Sequence, residues 1–476
     1  MVTQTGLIFI PVCTVAMIAG LRMQLATFAV GAVLTSAAVV NLASFGVQPA
    51  YFMALLLLGM AGTLALMQGG YGLSRAVLVR MAPLAVLLVA ALNALFWATA
   101  VFWDEVWVVS GRQMFDLSSA ERYSFRSENV NQIAYLLLNI ALVALLADRL
   151  LRVPASTLLG IAHTAVRSAF VVATLFVAWD WLAHHFGLYF PDAFLHSNAF
   201  YAVAHEQAFG DIARISGPFS EPSALAYAYG GFLAYASGCY LGDRRPMSLL
   251  MMLAAAAALL ISTSTTAYAL LALWLAAMLL ALALSRLLGG PAPSSGRNRL
   301  AVFMLALVAV IGAASFAVRH QGDIRSIYEH SIAGKTETGS FQDRTAADRM
   351  GYEAFETTWG MGIGLGSHRP STLPAALLSN VGLAGTVAFA VFVGLCLVRF
   401  GNAPPAALGG RAAWPFRAFA LGLLAAHAVS SPTVSSPLLW LALMLNLAIS
   451  AYPGLPLEAA AAGRHKRLDS EPVATQ

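Results

Sequence analysis

The feature that most constrains this sequence is a succession of long apolar stretches separated by short polar loops. Hydrophobic residues make up 59% of the 476-residue chain and charged residues only 10%, against roughly 25% charged residues in a soluble domain. A helix needs about 20 apolar residues to cross the hydrocarbon core of a bilayer. We therefore expect an all-α, polytopic membrane helical bundle of about 12–13 transmembrane helices. The candidate spans are 6–21, 25–44, 49–68, 82–102, 130–147, 165–183, 222–241, 247–262, 267–285, 300–318, 374–398, 417–431 and 437–452.

The basic residues give this predicted bundle an orientation. Most Lys and Arg residues fall in alternate connections, whereas the short loops 45–48, 263–266 and 432–436 carry none. By the positive-inside rule, the basic connections face the cytoplasm. We therefore expect one integral membrane domain over 1–476 that ends in a cytoplasmic tail, 453–476.

Three longer loops lie on the opposite, outer side in this scheme. Long loops escape the charge rule, so the charges that they carry do not contradict it. In the longest loop, Ala347, Met350 and Ala354 recur at i, i+3 and i+7, a pattern that predicts helix. The cytoplasmic side has no domain large enough for nucleotide chemistry, so any chemistry is expected on the outer face. The outer loops are 103–129, 184–221 and the large, partly helical loop 319–373.

The first candidate site is the segment that runs from Arg214 through Glu221 to Pro222. Pro222 is favoured in the first turn of a helix, and Ser220 or Glu221 is favoured just before it. A helix start presents free N–H groups and the positive end of the helix dipole, which suits a phosphate. Arg214 is close enough along the chain to reach the same place. In the alternative interpretation, Glu221 only stabilises the helix start and Arg214 only pairs with Asp211.

A second candidate is the hydroxyl-rich turn Ile261–Thr266. Ser262, Ser264 and Thr266 carry small hydroxyl groups that can donate hydrogen bonds to a lipid head group. The alternative is ordinary capping between two helices, because such side chains commonly bond to nearby backbone groups.

A third candidate is a pair of arginines, Arg344 and Arg349, in the large outer loop. A guanidinium is a planar fork that can hold two phosphate oxygens at once. Each arginine directly follows an acid, Asp343 or Asp348, so surface ion pairs are the alternative interpretation.

Glycines follow these arginines and lead into His368 and Arg369. Alternating glycines such as Gly364 and Gly366 resemble a phosphate-cradling loop. The other interpretation is that they let the chain pack tightly beside the membrane.

Asp180 and His184 form a fourth constellation, at i, i+4 spacing near the outer end of a span. An acid in a membrane helix is a candidate functional residue, but an interfacial anchor beside two tryptophans is the alternative. No cluster has the spacing of metal ligands, so no metal is predicted.

Taken together, these segments resemble the O-antigen ligase/polymerase superfamily, and its Wzy-type polymerases in particular. The ligases carry a His-Asn pair after the glycine-rich turn, where this chain has His368-Arg369, so the polymerases are the better match. The segments are RISGPFSEPSALA (214–226), ISTSTTAY (261–268), DRTAADRMGYEAFETTWGMGIGLGSHRPS (343–371) and LLSNVGLAG (377–385).

The resemblance implies a GT-C-like bundle in the bacterial inner membrane, with an active site that faces the periplasm. Its substrates would be glycans linked to undecaprenyl diphosphate, which is the leaving group, and no cofactor, metal or nucleic acid is implied. A flippase and a chain-length regulator are the suggested protein partners, beside the lipid bilayer itself. The catalytic residues implied are Arg214, Glu221, Arg344, Arg369 and His368, of which Glu221 or His368 would be the base. The substrate-binding residues implied are Arg349, Ser262, Ser264, Thr266, Gly364 and Gly366.

Two other functions remain open from the sequence. The first is an O-antigen ligase that moves a finished glycan onto lipid A core or protein. The second is a polyisoprenoid-lipid transporter or flippase, which would carry ionisable or broken helices near the bilayer midplane. The charges of this chain lie mostly at span ends and in loops, which favours chemistry at the interface.

Overall fold

The computed structural model describes residues 1–43, 45–70, 72–109, 120–201, 208–209, 212–243, 245–287, 306–307, 310–311, 339–399 and 408–453. In these ranges the chain is almost entirely helical, with three two-stranded antiparallel hairpins. The helices are α1 (Gln4–Ala19), α2 (Leu21–Val33), α3 (Pro49–Met67), α4 (Arg75–Ala100), α5 (Ser127–Leu151), α6 (Ala155–Phe186), α7 (Asp192–Leu195), α8 (Pro222–Asp243), α9 (Pro246–Ile261), α10 (Thr265–Leu287), α11 (Gly339–Thr357), α12 (Leu373–Leu397), α13 (Gly410–Ser430) and α14 (Pro437–Ala451). The strands are β1 (Val40–Asn41), β2 (Gly46–Val47), β3 (Trp107–Val109), β4 (Ala120–Arg122), β5 (Ala208–Phe209) and β6 (Ile212–Ala213).

Within the described residues, six helices are long and apolar enough to cross a membrane: α3, α4, α5, α6, α12 and, from Arg411, α13. Shorter apolar helices accompany them, namely α1, α2, α9, α14 and the first part of α10. The predicted all-α, multi-pass membrane bundle is confirmed. The number of about 12–13 spans stays a prediction, because most of the expected span 300–318 lies outside the described residues. The same holds for 319–338 of the large loop and for the tail after residue 453.

The centre of the bundle is formed by α8 and α14. Every residue of α14 is buried, although the helix has only 15 residues. Small residues let α8 approach its neighbours closely: a Cβ at Gly231 would lie 2.6 Å from Leu423 of α13, and one at Gly238 would lie 2.8 Å from Pro415. The polar first turn of α8 is therefore held in a fixed position by the packing behind it.

The helices run between two ends, which we call upper and lower. The upper end is the one at which α3, α5, α8, α12 and α14 begin. Contacts across it join loops that are distant in the sequence; for example, Ser435 Oγ donates to Gln132 Oε1 (2.7 Å). The lower end is held in the same way, since Tyr452 donates its hydroxyl proton to the Val153 carbonyl (2.8 Å).

The predicted span 25–44 is wrong in its second half, because α2 ends at Val33. The rest of this apolar run forms turns and strand β1 in the upper-end loops, where other loops bury it. Asn41 Nδ2 donates to the Ser197 carbonyl (2.8 Å), and the Ala38 amide donates to Ser197 Oγ (3.1 Å). Burial under another loop, and not contact with lipid, accounts for the hydrophobicity here.

The helical pattern around Ala347 corresponds to α11, which runs from Gly339 to Thr357. Ala347 and Ala354 face inward and are buried. The helix lies against the start of α12 at the upper end, and it brings Arg344 towards the centre of the bundle.

Candidate functional site

Arg214 and Arg344 lie within electrostatic range of each other at the upper end of the bundle, where α8 begins. Desolvation lowers the pKa of the half-buried Arg214; the negative charge of Glu221 opposes this shift, and the positive charge of Arg344 adds to it. Arg344 Nη1 also donates to Ser430 Oγ at the end of α13 (3.2 Å). Two guanidinium groups are thus held within electrostatic range of each other and of one carboxylate. We call Arg214, Glu221 and Arg344, with Arg369 described below, the arginine cluster.

Glu221 occupies the position directly before α8, one of the two residues that the sequence favoured for it. Its carbonyl accepts the first helical hydrogen bonds, from the amides of Ala224 (3.0 Å) and Leu225 (3.1 Å). Pro222 follows as the first helical residue. The Ser223 hydroxyl donates to Glu221 Oε1. Ser223, in the first turn of α8, therefore orients the carboxylate of Glu221. The carboxylate lies beside the positive end of the helix dipole.

The segment that carries Arg214 is anchored by Asp180 of α6. Asp180 Oδ2 accepts hydrogen bonds from the amides of Ser216 (2.9 Å) and Gly217 (2.7 Å). Its other oxygen lies 3.2 Å from His184 Nε2. Gly217 has φ +59°, and a Cβ there would lie 2.6 Å from Val177. Asp180 thus does more than anchor a span at the interface, because it fixes the loop between α6 and α8.

Arg369 lies on the adjacent side of the cluster and is exposed. Its backbone amide donates to the carbonyl of Val109 in β3 (3.2 Å). The hydroxyl of Tyr201 interacts electrostatically with both Arg369 and Glu221 and shares a hydrogen bond with Ser220. Arg369 and Glu221 therefore share one neighbour, a tyrosine that sequence reasoning missed.

Two further tyrosines lie next to Tyr201. The rings of Tyr51 (α3) and Tyr135 (α5) stack with centroids 4.6 Å apart, and both hydroxyls interact electrostatically with Tyr201. Tyr51 donates to the carbonyl of Ser435, and Asn139 Nδ2 donates to the Tyr51 hydroxyl (3.2 Å). Single tyrosines within apolar helices gave no signal in the sequence, since only the fold brings them together.

His368 lies near the cluster but has both ring nitrogens engaged. Nδ1 accepts from the Val109 amide (3.1 Å), and Nε2 lies 2.8 Å from the Ala347 carbonyl, to which it donates. Burial lowers the pKa of His368, which keeps the ring neutral. A ring with no available nitrogen cannot take a proton from a substrate, so the geometry gives His368 a structural role.

Arg349 points away from this arrangement. Its side chain is exposed and forms an ion pair with Glu353 one turn later (2.9 Å). The aspartate before it, Asp348, accepts from the amides of Ser371 (2.6 Å) and Thr372 (3.1 Å) and so holds the segment just before α12. Arg349 therefore forms a surface ion pair, as in the alternative interpretation, but its partner is Glu353 and not Asp348. Within the described residues, Arg349 has no contact with the arginine cluster.

The hydroxyl-rich turn between α9 and α10 lies beside the cluster, because Tyr268 of α10 interacts with Arg214. Ser262 Oγ donates to the Leu259 carbonyl (2.7 Å), which is helix capping. Ser264 and Thr266 are buried. Thr263, between Ser262 and Ser264, has φ +48°, an uncommon conformation for a β-branched residue. Ser262 therefore serves the turn itself, as in the capping interpretation.

The glycine-rich turn after α11 is a packing element. A Cβ at Gly364 would lie 2.8 Å from Leu95, and a Cβ at Gly366 would lie 2.6 Å from the Glu128 carbonyl. The Gly364 amide donates to the Asn380 carbonyl (2.9 Å). The turn fits between α4, α5 and α12, and the Gly364 amide is already engaged, so tight packing explains Gly364 and Gly366 better than phosphate binding.

Among the described residues, no group of three or more His, Cys, Asp and Glu side chains could hold a metal ion.

Comparison with known proteins gives no match of this chain to a protein-family model, a curated protein or a solved structure. The resemblance to the O-antigen ligase/polymerase superfamily therefore depends on the sequence segments alone.

Proposed function

We propose that the protein polymerises oligosaccharide repeat units carried on undecaprenyl diphosphate, with the arginine cluster as its active site. The observation that carries the proposal is that Arg214 and Arg344 lie within electrostatic range of each other beside the start of α8. Like charges repel, and the amino-terminal end of a helix adds further positive potential. Such an arrangement is stabilised when a multiply charged anion binds, and a diphosphate offers several oxygens to guanidinium forks.

The chemistry follows from this placement. A hydroxyl of the acceptor glycan attacks the anomeric carbon of the donor glycan, and its proton passes to the carboxylate of Glu221. The new C–O bond forms as the bond to undecaprenyl diphosphate breaks, and the leaving diphosphate takes the bonding electrons. Arg214, Arg344 and Arg369 stabilise its growing negative charge. Such preorganised donors are typically worth about 10²–10³ in rate each.

The neighbouring side chains have supporting roles in this proposal. Ser223 orients Glu221, and Asp180 fixes the loop that carries Arg214. Tyr201 lies between Arg369 and Glu221, where an acceptor hydroxyl has to arrive. The upper end of the bundle would face the periplasm. A reporter that is active only in the periplasm should then give a signal when fused at Ser340, and a reporter that is active only in the cytoplasm should give none.

Purified protein in nanodiscs, supplied with a lipid-linked repeat unit, tests the proposal. We expect a ladder of polymers still attached to the carrier lipid. If deletion of the gene leaves intact polymer stranded on undecaprenyl diphosphate, the protein is a ligase. If deletion leaves lipid-linked repeats confined to the cytoplasmic leaflet, it is a transporter.

A further inference from the structure

A group of exposed aromatic side chains surrounds the upper end of α4. Trp103, Trp107 and Trp359 are 58%, 51% and 78% exposed, respectively, and Phe96 and Trp97 of α4 are exposed beside them. They come from three parts of the chain: the end of α4, the β3–β4 hairpin and the turn after α11. We call these five residues the aromatic patch. Exposed apolar side chains that gather from separate segments point to an interaction surface.

The patch is mounted on a small hydrophobic core of its own. Ala98, Val108 and Ile363 are among the buried residues of this core. The ring of Trp359 packs edge-to-face against Phe102, with centroids 5.4 Å apart. Trp107 pairs across the hairpin with Arg122. The guanidinium of Arg122 lies 5.7 Å from the centroid of the Trp107 ring. These contacts fix the orientation of Trp359 and Trp107.

Trp359 is held outward by an uncommon backbone conformation. Its φ is +53°, and Gly360 follows with φ +78°. A bulky residue with positive φ is a genuine outlier, and such strain persists only where the surrounding structure enforces it. Here the enforced conformation places a large apolar ring almost fully outside the protein.

The patch continues the exposed apolar face of a membrane span. On α4, Val86, Val89 and Phe96 are all more than half exposed, and α4 is one of the six helices that can cross a bilayer. Tryptophan is enriched where hydrocarbon meets the head groups, because its ring is apolar and its N–H is polar. The ion pair between Arg122 of β4 and Asp104, in the turn before β3, suits that polar layer.

We propose that the aromatic patch is embedded in the interfacial layer of the bilayer, so that the β3–β4 hairpin rests on the membrane surface. The contacts of β3 then fix the depth of Arg369, whose amide donates to Val109 two residues after Trp107. Arg369 would lie at the level of the lipid phosphates. This inference does not depend on the proposed reaction.

Tryptophan fluorescence in nanodiscs tests the proposal. The chain has nine tryptophans, so the signal of the patch is the difference between the wild-type protein and the triple variant Trp103→Phe, Trp107→Phe, Trp359→Phe. We expect phosphatidylcholine brominated near the head-group end of its acyl chains to remove most of this difference signal, and acrylamide in the water to remove little. Trp440→Phe is the matched control, because Trp440 is buried in the core and its difference signal should resist both quenchers.

Two outcomes would overturn the proposal. Strong quenching by acrylamide without quenching by brominated lipid would place the patch in water. Protection from both quenchers would mean that protein, such as a second copy of the chain, covers it. A thermal unfolding curve of the triple variant that matches the wild type makes either result attributable to the patch.

Discussion

The arginines at the two ends of the bundle are held in opposite ways. At the lower end, Arg80 donates to the carbonyls of Leu395 (2.8 Å) and Ser450 (3.1 Å), and Arg399 donates to the carbonyl of Tyr452 (2.8 Å). These carbonyls belong to the carboxyl-terminal ends of α12 and α14, where the helix dipole is negative and the last carbonyls lack helical partners. The lower-end arginines therefore supply hydrogen bonds to carbonyl groups that have no partner within their own helices.

At the upper end, Arg214 and Arg344 lie beside the amino-terminal end of α8 and beside each other. The two guanidinium groups and the helix start carry positive potential, so this place favours negative charge. The carboxylate of Glu221 supplies one such charge. Arg344 also contacts the carboxyl-terminal residue of α13, through the Ser430 hydroxyl. A second guanidinium and the start of α8 beside it, and not the presence of an arginine, therefore distinguish a candidate anion-binding cation from a structural one.

The largest effect is expected from replacing the upper-end arginines with lysine. Arg214→Lys and Arg344→Lys keep the charge but lose the fork, and each should reduce polymer formation by about 10²–10³. At the lower end, Arg80→Lys should cost about 1–3 kcal/mol of stability with normal activity per folded molecule. The measurements are polymer ladder length and thermal unfolding. Equal losses of activity at both ends would remove the distinction.

Glu221→Gln tests the single carboxylate of the arginine cluster. Without a general base, activity should fall by roughly 10²-fold or more, while the helix start should lose only about 0.3–1 kcal/mol. Glu353→Gln, which breaks the surface pair with Arg349, is the control and should be silent. Near-normal polymerisation by the Glu221→Gln variant in an initial-rate assay would leave Glu221 a structural role only.

An intermediate effect is expected at Asp180, which positions the segment of Arg214. Asp180→Leu removes the acceptor for two amides, and hydrogen bonds to a charged group contribute about 1.5–3 kcal/mol each. Asp180→Asn keeps an oxygen that can accept both amides. Initial rates should therefore fall at least about tenfold in the Leu variant and recover largely in the Asn variant. Equal rates in both variants would show that the loop does not need this anchor.

The smallest effect concerns His368 and the pH dependence of stability. The folded pKa of His368 is below its unfolded value of about 6.5. Between those two values the unfolded chain binds more protons, so stability falls as pH drops below about 6.5, by up to about 1.4 kcal/mol per pH unit. His368→Gln can keep both hydrogen bonds without titrating. Its melting temperature should therefore depend less steeply on pH than that of the wild type; an unchanged slope would contradict the structural role.

The sequence predicted the architecture well because its signals are local: the length of an apolar run predicts a span, and Pro222 predicts the start of a helix. Helix α8 begins at Pro222, as predicted, and the outer loops that carry the arginines do meet at one end. The run 25–44 misled because burial under a loop and burial in lipid require the same residue types. Length alone could not separate them.

The site was predicted less completely, because adjacency in sequence does not determine which way a side chain points. Arg344 and Arg349 look equivalent in the sequence, yet α11 turns only Arg344 towards Ser430 and Arg214. His368 and Arg369 are neighbours, but Val109 and Ala347 bind the ring of His368 while the side chain of Arg369 remains exposed. Tyr201 belongs to a loop without any motif, so only the fold could reveal it.

The central claim is that the upper end binds a diphosphate through its arginines, and a binding measurement tests it most directly. Purified protein in EDTA should bind geranylgeranyl diphosphate at least about tenfold more tightly than the uncharged alcohol geranylgeraniol. Arg214→Lys should remove most of that difference, and Arg80→Lys should leave it intact. Equal affinity for the two lipids, or a preference that appears only with Mg²⁺, would contradict the account.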